Sequence, residues 1–581
     1  MPRNLLKAWT LGLTAYALVY TREVPVAYAQ SVVDTDCSTN LDQPDTTYRL
    51  TAHVSGNCII AADNIILDGQ NLYEIDGYIA GASNGSFTIR NIPAVSYVST
   101  YYTGNVTIES STIGDYAYAY DGTLTVVNAS VGEEVRTKTG SISITNSTTG
   151  DVSAENGDIT INDSNVSLVA GSSGYDITLA DSVASMIVSI YDASYGGSIS
   201  ITNSTINGPV GSTGGGIDIS IVDSVIDGSV HTTGSYSGDI TVTNSTITGQ
   251  LEAGDGEVTI SGSTVENYIT KGAGDLIVTD SSVESYIYVE EGDITVTGSD
   301  IGGSVERYNG GDTTTIINST VAGDLTSYSG YAVVTDATIE GHINRTNEAT
   351  ITGSHIHGYV RSMGDMTITA SIIDAGSDLS SGNAVYGYNT CDITDATISP
   401  TTVSCGTLNL TDNAPSLTVT PLAVTLTYGE TFNPFSGIHA DDVKDGDISD
   451  QASVIGTIGE EGGVYELIYS VTDNGTSLYN AAHSETVTAG PSTVTATRTV
   501  TRGDKAAQST SVGVHKDRKE KEATEALHAI AVGDIDGTLH ALKAVLSEPI
   551  TTNDPEQLKK ILNLLLQIAA ALTQLLTMQG K

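Results

Sequence analysis

Basic residues are scarce in this sequence. Its 581 residues contain 23 lysines and arginines against 69 aspartates and glutamates, which gives a formal net charge of −46. A nucleic-acid partner would require a basic face to neutralise phosphates, so the charge argues against one. Anionic membrane surfaces are disfavoured for the same electrostatic reason.

Large aromatic residues other than tyrosine are also rare. The chain has 3 phenylalanines and 1 tryptophan, Trp9, but 29 tyrosines and 61 glycines. Its hydrophobic share of 39% is low for a helical globule, yet too high and too regularly patterned for disorder. The composition therefore predicts an ordered fold whose interior has little room for large rings.

Catalytic signatures are missing as well. The sequence contains no nucleophile elbow, zinc-protease helix or phosphate-binding loop. Eight basic residues are scattered over the central region, which does not favour the cationic cleft that cleavage of acidic polysaccharides needs. They are Arg49, Arg90, Arg136, Lys138, Lys271, Arg307, Arg345 and Arg361. We assign no catalytic residue, and a polysaccharide-acting enzyme is kept as the alternative to a binding protein.

The first 29 residues have the pattern of a secretory signal peptide. Arg3 and Lys7 accompany a largely apolar run at 8–20, and Ala27-Tyr28-Ala29 fits a cleavage site. An uncleaved membrane anchor is the alternative, but the run is shorter than the ~20 residues that span a bilayer. We therefore expect export to the cell surface or the extracellular space.

Four cysteines fit an oxidising compartment. They form two local pairs, Cys37 with Cys58 and Cys391 with Cys405, at the two ends of the repeat region described next. A long rod between the pairs would allow only local disulfides. Zinc binding is the alternative, although no CxxC spacing occurs.

An internal repeat occupies most of the chain. The segment DITVTNSTI at 239–247 has close relatives such as SISITNSTI at 198–206 and DITVTGSDI at 293–301. We count 17 copies between 86 and 390, with a mean spacing of 19 residues. Each copy begins with alternating apolar and polar residues, the pattern of a β-strand, and then has an Asn, Asp or Gly corner. We interpret these corner residues as structural because Asn and Asp tolerate a left-handed backbone.

One further aliphatic residue recurs twelve places after the start of each copy. The set comprises Val210, Val230, Leu251, Ile269, Ile287, Val305, Leu325, Ile343 and Val360. An inward residue at a fixed offset is what a parallel β-solenoid requires, because its rungs stack about 4.8 Å apart. The predicted fold class is therefore mainly β, with a solenoid of about 17 rungs. A β-sandwich is the alternative, but its strands would not repeat one motif in one register.

The segment CSTNLDQPDTTYRLTAHVSGNCIIAADNIILDGQNLYEIDG at 37–77 resembles the opening rungs of right-handed parallel β-helix proteins of the pectin-lyase-like superfamily. The GDITV-type rungs are also similar to those of bacterial adhesin-type β-solenoids. The resemblance implies a fold but carries no catalytic residues across. The superfamily's Gly-His-Gly signature is interrupted here, since Gly341-His342 is followed by Ile343.

Stacked rungs turn each repeat position into a row of side chains. Asp239, Glu257, Asp275 and Asp293 share one position on four rungs, and carboxylates spaced about 5 Å apart could attract Ca²⁺. The alternative is that these acids form the corner and extend into solvent. Ca²⁺ is the one cofactor that we consider.

Four tyrosines precede inward aliphatic residues and should therefore face outward: Tyr116, Tyr268, Tyr286 and Tyr359. Exposed aromatic rings can stack on sugars or anchor a protein partner. Tyrosine is also a good strand former on a pleated surface, so a purely structural role is the alternative.

Residues 415–502 resemble a bacterial immunoglobulin-like surface module first known from a pesticidal crystal protein. The resemblance rests on LTVTPLAVTLTYGETFNPFSGIHADDVKDGDIS, GEEGGVYELIYSVTDNGTS and TATRTVTRGD, and it implies a stalk or spacer. The segment 478–497 is longer than the family's final link. Asp441, Asp442, Asp445 and Asp447 form either a cation site or an acidic turn.

The C-terminal residues predict a helical tail. The last helix begins at Asp554-Pro555, an N-cap followed by proline in the first turn. Leucines at coiled-coil spacing favour self-association over packing on the preceding helices or anchoring in a membrane. These residues are Leu558, Leu562, Leu565, Leu572 and Leu576.

The sequence thus predicts five segments. They are a signal peptide at 1–29, a parallel β-helix at 30–412, an Ig-like β-sandwich at 413–502, a linker at 503–522 and a helical tail at 523–581. We expect an exported structural or adhesin-like protein, homo-oligomeric through its last helix, that presents an acidic, tyrosine-bearing surface to glycans, cations or surface proteins.

Overall fold

The computed structural model describes residues 30–504, apart from 173, 192–195, 214–215, 234–237, 310–311 and 378. The predicted signal peptide, the linker beyond Asp504 and the helical tail with its five leucines lie outside the described residues. The described part forms two units, residues 30–411 with 477–488 and residues 412–476 with 489–504. It is almost entirely β-structure, and its one helical element is a 3-10 turn at Ser449–Gln451.

The first unit is a parallel β-solenoid with up to three strands in each turn. Every strand pairs in parallel with the equivalent strand of the next turn, as Ile240–Thr243 does with Val258–Ser261. Three faces result. We call the face with the alternating repeat strands the first face, the face that follows the Asn, Asp or Gly corner the second, and the remaining one the third.

The first face contains Ser31–Thr35, Thr46–Leu50, Ile65–Asp68, Phe87–Arg90, Val106–Glu109, Leu124–Val127, Ile142–Thr145, Ile159–Asn162, Asp176–Ala180, Ser198–Thr202, Asp218–Val222, Ile240–Thr243, Val258–Ser261, Leu276–Thr279, Ile294–Thr297, Thr313–Ile317, Tyr331–Thr335, Glu348–Thr352 and Met366–Thr369. The second face contains Thr112–Ile113, Asn165–Val166, Val183–Ala184, Thr205–Ile206, Val225–Ile226, Thr246–Ile247, Thr264–Val265, Ser282–Val283, Asp300–Ile301, Thr320–Val321, Thr338–Ile339, His355–Ile356, Ile372–Asp374 and Thr397–Ser399.

The third face contains Cys58–Ile60, Ile79–Gly81, Val98–Thr103, Tyr116–Asp121, Val169–Ser172, Val188–Tyr191, Val210–Thr213, Val230–Thr233, Leu251–Ala253, Ile269–Lys271, Ile287–Val289, Val305–Arg307, Leu325–Ser327, Ile343–Thr346 and Val360–Ser362. Four longer strands bend from one face to the next: Ser130–Thr139, Thr148–Ala154, Val385–Thr394 and Thr402–Thr411.

The solenoid has about 20 turns, so the expectation of 17 was too low. Strands Ser31–Thr35, Thr46–Leu50 and Ile65–Asp68 stack before the first recognised copy, and Thr402–Thr411 stacks after the last. These turns lack the repeat motif because their corners are built differently. Gln70 and Asn71, for example, both have positive φ after the strand that ends at Asp68.

The interior consists mainly of isoleucine, valine and leucine. All nine aliphatic residues predicted to face inward are fully buried, which confirms the offset derived from the repeat. Burying a side chain of this size contributes about 1.5–3 kcal/mol, and the solenoid repeats that contribution in every turn.

The corner between the first and second faces has a left-handed residue followed by a buried serine. Asn203, Asp223 and Asn244 have φ of 47°, 50° and 49°, and Gly262 continues the series at 59°. The expectation that these corner residues are structural is confirmed. Asn, Asp and Gly recur here because other residues adopt this conformation only with strain.

The serines that follow these corner residues form a continuous hydrogen-bonded ladder. Each backbone N–H donates to the hydroxyl of the serine one turn later at 3.0–3.1 Å, and each hydroxyl donates to the carbonyl two residues before it. Its members are Ser147, Ser164, Ser182, Ser204, Ser224, Ser245, Ser263, Ser281, Ser299 and Ser319. The ladder satisfies backbone groups that the tight corner removes from strand pairing.

Both predicted disulfides are present, Cys37–Cys58 and Cys391–Cys405. They lie in the opening and closing turns of the solenoid. A hairpin of Thr476–Asn480 and Glu485–Ala489 pairs with the last turn through Thr402 and Val403. Asn480 is fully buried there and exchanges two 3.1 Å hydrogen bonds with the backbone of Cys405. The hairpin therefore closes the open edge of the final turn, which otherwise exposes unpaired backbone groups.

The second unit contains two small sheets. One has Ser416–Val419, Ile438–Asp442 and Gly446–Asp447, and the other has Ala423–Leu426, Ser453–Ile455, Gly463–Thr472 and Thr493–Arg502. Its core includes Val419, Leu467, Tyr469 and Val500. The buried guanidinium of Arg498 lies 5.3 Å from the ring centre of Tyr469 and donates to backbone carbonyls, so this core is held by a charged group as well as by apolar packing.

Replacing Ser245 with alanine should loosen one corner of the solenoid. The N–H of Ser224 loses its acceptor, and leaving a buried amide unsatisfied costs about 1–3 kcal/mol. We expect the Ser224 amide to exchange its hydrogen roughly tenfold faster or more, measured by mass spectrometry. Ser185→Ala, at an exposed serine of the same solenoid, is the matched control. Equal exchange in both variants would contradict a supporting role for the serine ladder.

Candidate functional site

The four tyrosines predicted to face outward lie on the third face in short aromatic stacks. Tyr116 stacks on Tyr97 with ring centres 4.7 Å apart, and Tyr268 stacks on Tyr286 at 4.9 Å. Tyr359 stacks on the imidazole of His342 at 4.0 Å. In each pair the rings are within 14° of parallel. The in-register pairing of the strands aligns these rings one above the other.

These stacks do not form one continuous aromatic surface. The column of aromatic rings is interrupted between them. Tyr116 is paired with Glu134 on the next turn, and the residue opposite Tyr268 on the preceding turn is Gln250. Stacked rings also cover one another's faces and leave mainly their edges and hydroxyl groups to solvent. Tyr286, 40% exposed, retains the most accessible edge of the four predicted residues.

A second set of tyrosines on the same side was missed by the sequence analysis. Tyr288, Tyr308 and Tyr328 occur on successive turns, with ring centres 6.4 and 5.3 Å apart and rings inclined by 37° and 54°. The guanidinium of Arg345, one turn further, lies 4.6 Å from the ring centre of Tyr328. We call these four residues the tyrosine–arginine row.

The repeat pattern does not reveal this row, because its members do not lie at a fixed distance in sequence from the inward residue of each turn. Tyr288 directly follows the inward residue Ile287, whereas Tyr308 comes three places after Val305. The occurrence of tyrosines on successive repeats is the feature of the sequence that could have indicated the row. Because the rings are tilted rather than stacked, they do not fully cover one another's faces, and Tyr308 is 53% exposed.

The row combines groups that suit the recognition of polar ligands with apolar faces. Burial raises the pKa of Tyr288, and the nearby carboxylate of Glu290 raises it further, so this phenol stays protonated at neutral pH. Phenol hydroxyls both donate and accept hydrogen bonds, and open rings stack on the C–H faces of sugars. Arg345 adds a planar hydrogen-bond donor.

A similar tyrosine group lies near the start of the solenoid. Tyr101, 64% exposed, packs at a tilt on Tyr118 with ring centres 5.5 Å apart. The ammonium of Lys138 lies 4.6 Å from the ring centre of Tyr120 and donates to its hydroxyl. Exposed tyrosines therefore accompany basic side chains at two places on the rod.

The four acids predicted as a ladder do lie on consecutive turns. The three aspartates accept backbone hydrogen bonds from the following turn, as Asp239 does from the N–H of Glu257 at 2.7 Å and Asp275 from the N–H of Asp293 at 3.0 Å. The carboxylate of Glu257 instead accepts the hydroxyl of Thr259 at 3.0 Å. Through its bond to a backbone N–H, each of the three aspartates joins the corner of its own turn to the backbone of the next turn. Calcium binding by the row stays a prediction.

Two buried cations lie beside this acid row. Lys271 is 2% exposed and donates to the carbonyls of Gly256 and Ala273. Burial lowers its pKa, while nearby acids, including Asp275, oppose that shift. Arg307 is fully buried and lies 3.5 Å from a carboxylate oxygen of Asp312. Lys271 and Arg307 are scattered along the sequence, but in the fold both serve as internal countercharges.

Comparison with known proteins identifies no family for this chain. No family model and no curated protein sequence matches it. One solved structure with local similarity contains the second family-51 carbohydrate-binding module, in complex with GlcNAc, and INT domains of Clostridium perfringens ZmpB. The identity is 22%, the match covers 16% of this chain and 17% of that chain, and the TM-score is 0.12, so it carries no argument about fold or function. The class that the structure itself defines is the parallel β-solenoid.

The described residues form no helix with the length and apolar character that crossing a membrane requires.

Replacing Lys271 with methionine should destabilise the turns around the acid row. Two carbonyls lose their donor and the adjacent carboxylates lose a countercharge. Leaving a buried acceptor unsatisfied costs about 1–3 kcal/mol. Hydrogen exchange over residues 257–294 should accelerate. Lys138→Met, at a residue held on the surface by Tyr120, is the control. A more stable variant would show that desolvation of the ammonium outweighs its contacts.

Proposed function

We propose that this chain is an extracellular structural or adhesive protein whose solenoid binds glycans along the tyrosine–arginine row. The observation that carries the proposal is the placement of Tyr288, Tyr308, Tyr328 and Arg345 on successive turns with tilted rings, of which that of Tyr308 is the most exposed. A row of aromatic rings that follows the axis of a rod suits an extended polymer. Of the four tyrosines predicted from the sequence, Tyr268, Tyr286 and Tyr359 lie on turns within or next to this row, whereas Tyr116 lies many turns away.

Electrostatics favour neutral glycans over acidic ones. The chain carries a formal net charge of −46, and two of the solenoid's basic residues are buried. Others lie over aromatic rings, as Arg345 does over Tyr328 and Arg361 over Tyr386, with 5.7 Å between the latter guanidinium and the ring centre. These cations supply local hydrogen-bond donors rather than a broad positive field.

The remaining parts of the chain fit an exported surface protein. Two disulfides are compatible with an oxidising compartment, and the predicted signal peptide would direct the chain there. The second unit would act as the Ig-like spacer inferred from sequence. Its two small sheets, in which most strand pairs are antiparallel, support a sandwich of that type. The helical tail would join copies of the chain.

Removing the central ring of the row should weaken glycan binding. Mature protein of residues 30–581 would be passed over immobilised neutral polysaccharides, and the retained fraction would be compared with that of Tyr308→Ala. We expect roughly tenfold weaker binding, since loss of a central aromatic contact costs more than about 1 kcal/mol. Tyr286→Ala would measure how much the exposed edge of the ring that stacks on Tyr268 contributes to glycan binding.

Tyr479→Ala is the matched control, because Tyr479 is 42% exposed on the closing hairpin and lies outside the row. Its binding should equal that of the unmodified chain. Retention unaffected by Tyr308→Ala would remove the row as the binding site. Absence of retention on every polysaccharide would leave a structural rod without a glycan ligand.

A further inference from the structure

Three carboxylates of the second unit converge, although they are far apart in sequence. Asp412, Asp442 and Asp473 each place a ligand oxygen so that all three oxygens lie within 4.8 Å of one another. Asp442 and Asp473 are 6% and 4% exposed, and the side chain of Asp412 has no exposed area. Like charges this close and this buried need compensation.

Each carboxylate uses one oxygen to support the local fold. Oδ1 of Asp473 accepts the N–H groups of Gly475 at 3.0 Å and Ser492 at 2.8 Å. Oδ1 of Asp442 accepts the N–H groups of Lys444 and Asp445, both at 2.9 Å. These bonds fix the orientation of both carboxylates.

Asp412 is oriented in a similar way. Its Oδ2 accepts the ammonium of Lys444 at 2.7 Å and the hydroxyl of Thr476 at 2.7 Å. The same ammonium also donates to the carbonyl of Gly475 at 2.7 Å. The ammonium of Lys444 also lies 3.7 Å from a carboxylate oxygen of Asp445, so its single positive charge is shared between two acids.

The remaining oxygens supply the decisive observation. Oδ1 of Asp412 and Oδ2 of Asp473 are buried and have no hydrogen-bond partner. An ionised carboxylate oxygen buried without a partner is costly, and protein interiors rarely contain one without a water or an ion to satisfy it. Two such oxygens in one cluster mark a position for a cation.

We propose that Asp412, Asp442 and Asp473 bind a Ca²⁺ ion. Three oxygens that lie within 4.8 Å of one another are close enough to share one cation, since Ca–O distances in proteins are about 2.3–2.6 Å. Three carboxylates and one ammonium leave a formal charge of −2, which a divalent ion neutralises. Ca²⁺ accepts irregular oxygen sets completed by carbonyls and water, whereas Mg²⁺ demands near-ideal octahedral geometry.

The structure divides the acidic run that the sequence analysis grouped together. Asp441 and Asp442 are neighbours on the strand Ile438–Asp442 and therefore point to opposite sides. Asp442 faces the buried cluster, while Asp441 is exposed and pairs with His439 at 2.6 Å. Asp441 has no buried oxygen that lacks a hydrogen-bond partner, so we assign no ion to it.

A bound ion would join three separate segments of the second unit: the segment at 412, the strand end at 442 and the loop at 473. Binding to the folded unit but not to the unfolded chain stabilises the fold by mass action. The second unit would then keep its shape in calcium-containing extracellular fluid and loosen when calcium is withdrawn.

The test uses the whole mature chain, freed of metal with EDTA and then titrated with CaCl₂ in a calorimeter. Thermal unfolding is recorded with and without 1 mM Ca²⁺ or Mg²⁺, where roughly 1 mM suits an extracellular module. We expect saturable Ca²⁺ binding and a melting transition of the second unit that rises by several degrees with Ca²⁺ and less with Mg²⁺.

Asp473→Asn and Asp412→Asn keep an acceptor oxygen but lose the charge, and each should weaken Ca²⁺ binding tenfold or more. Asp441→Asn, on the same strand but exposed, is the matched control and should bind as the unmodified chain does. Absence of Ca²⁺ binding by the unmodified chain would overturn the proposal. So would binding that survives both buried substitutions, and its loss in Asp275→Asn would assign the ion to the acid row instead.

Discussion

The hydrogen bond from each corner serine to the serine one turn later is the contact on which the solenoid depends. A left-handed Asn, Asp or Gly turns the chain sharply, and the serine hydroxyl then replaces the backbone partner that the turn removes, as Ser245 does for the amide of Ser224. Because the same bond recurs over ten turns from Ser147 to Ser319, it fixes the position of each turn on the next. The burial of aliphatic residues provides most of the stabilising free energy, and the corners determine the register.

Once the register is fixed, every outward position becomes a row, and each row has a physical consequence. Tyrosines at one position stack face to face, as Tyr268 and Tyr286 do, whereas those at irregular positions tilt and stay open, as Tyr308 does. Carboxylates at one position repel one another, and the fold offsets this with backbone N–H donors and with buried Lys271 and Arg307. The same regularity therefore creates both the candidate binding row and the charge that has to be neutralised within the rod.

The repeat period predicted the solenoid and its inward residues, because both follow from one offset. Both disulfides were predicted from the solenoid in turn, because a long rod between the two cysteine pairs allows only local bonds. The repeat period did not reveal the first turns of the solenoid. It also did not reveal the closing hairpin, because the hairpin residues Leu478 and Asn480 are not part of a repeat motif. The tyrosine–arginine row required knowledge of strand lengths that vary from turn to turn. The cluster of Asp412 and Asp473 could not be predicted, because 61 positions separate them and only tertiary packing brings them together. The segment noted as longer than an Ig-like link is explained by the hairpin, which belongs to the solenoid unit.

The proposed function is that of a rod that binds glycans without cleaving them. The most direct test incubates mature protein of residues 30–581 with neutral and acidic polysaccharides, with and without Ca²⁺, and follows new reducing ends and unsaturated products over time. The account predicts retention of the protein on neutral polysaccharides and no increase in either product. Turnover of any polysaccharide would contradict it and would direct attention to the acid row of Asp239, Asp275 and Asp293 as catalytic groups.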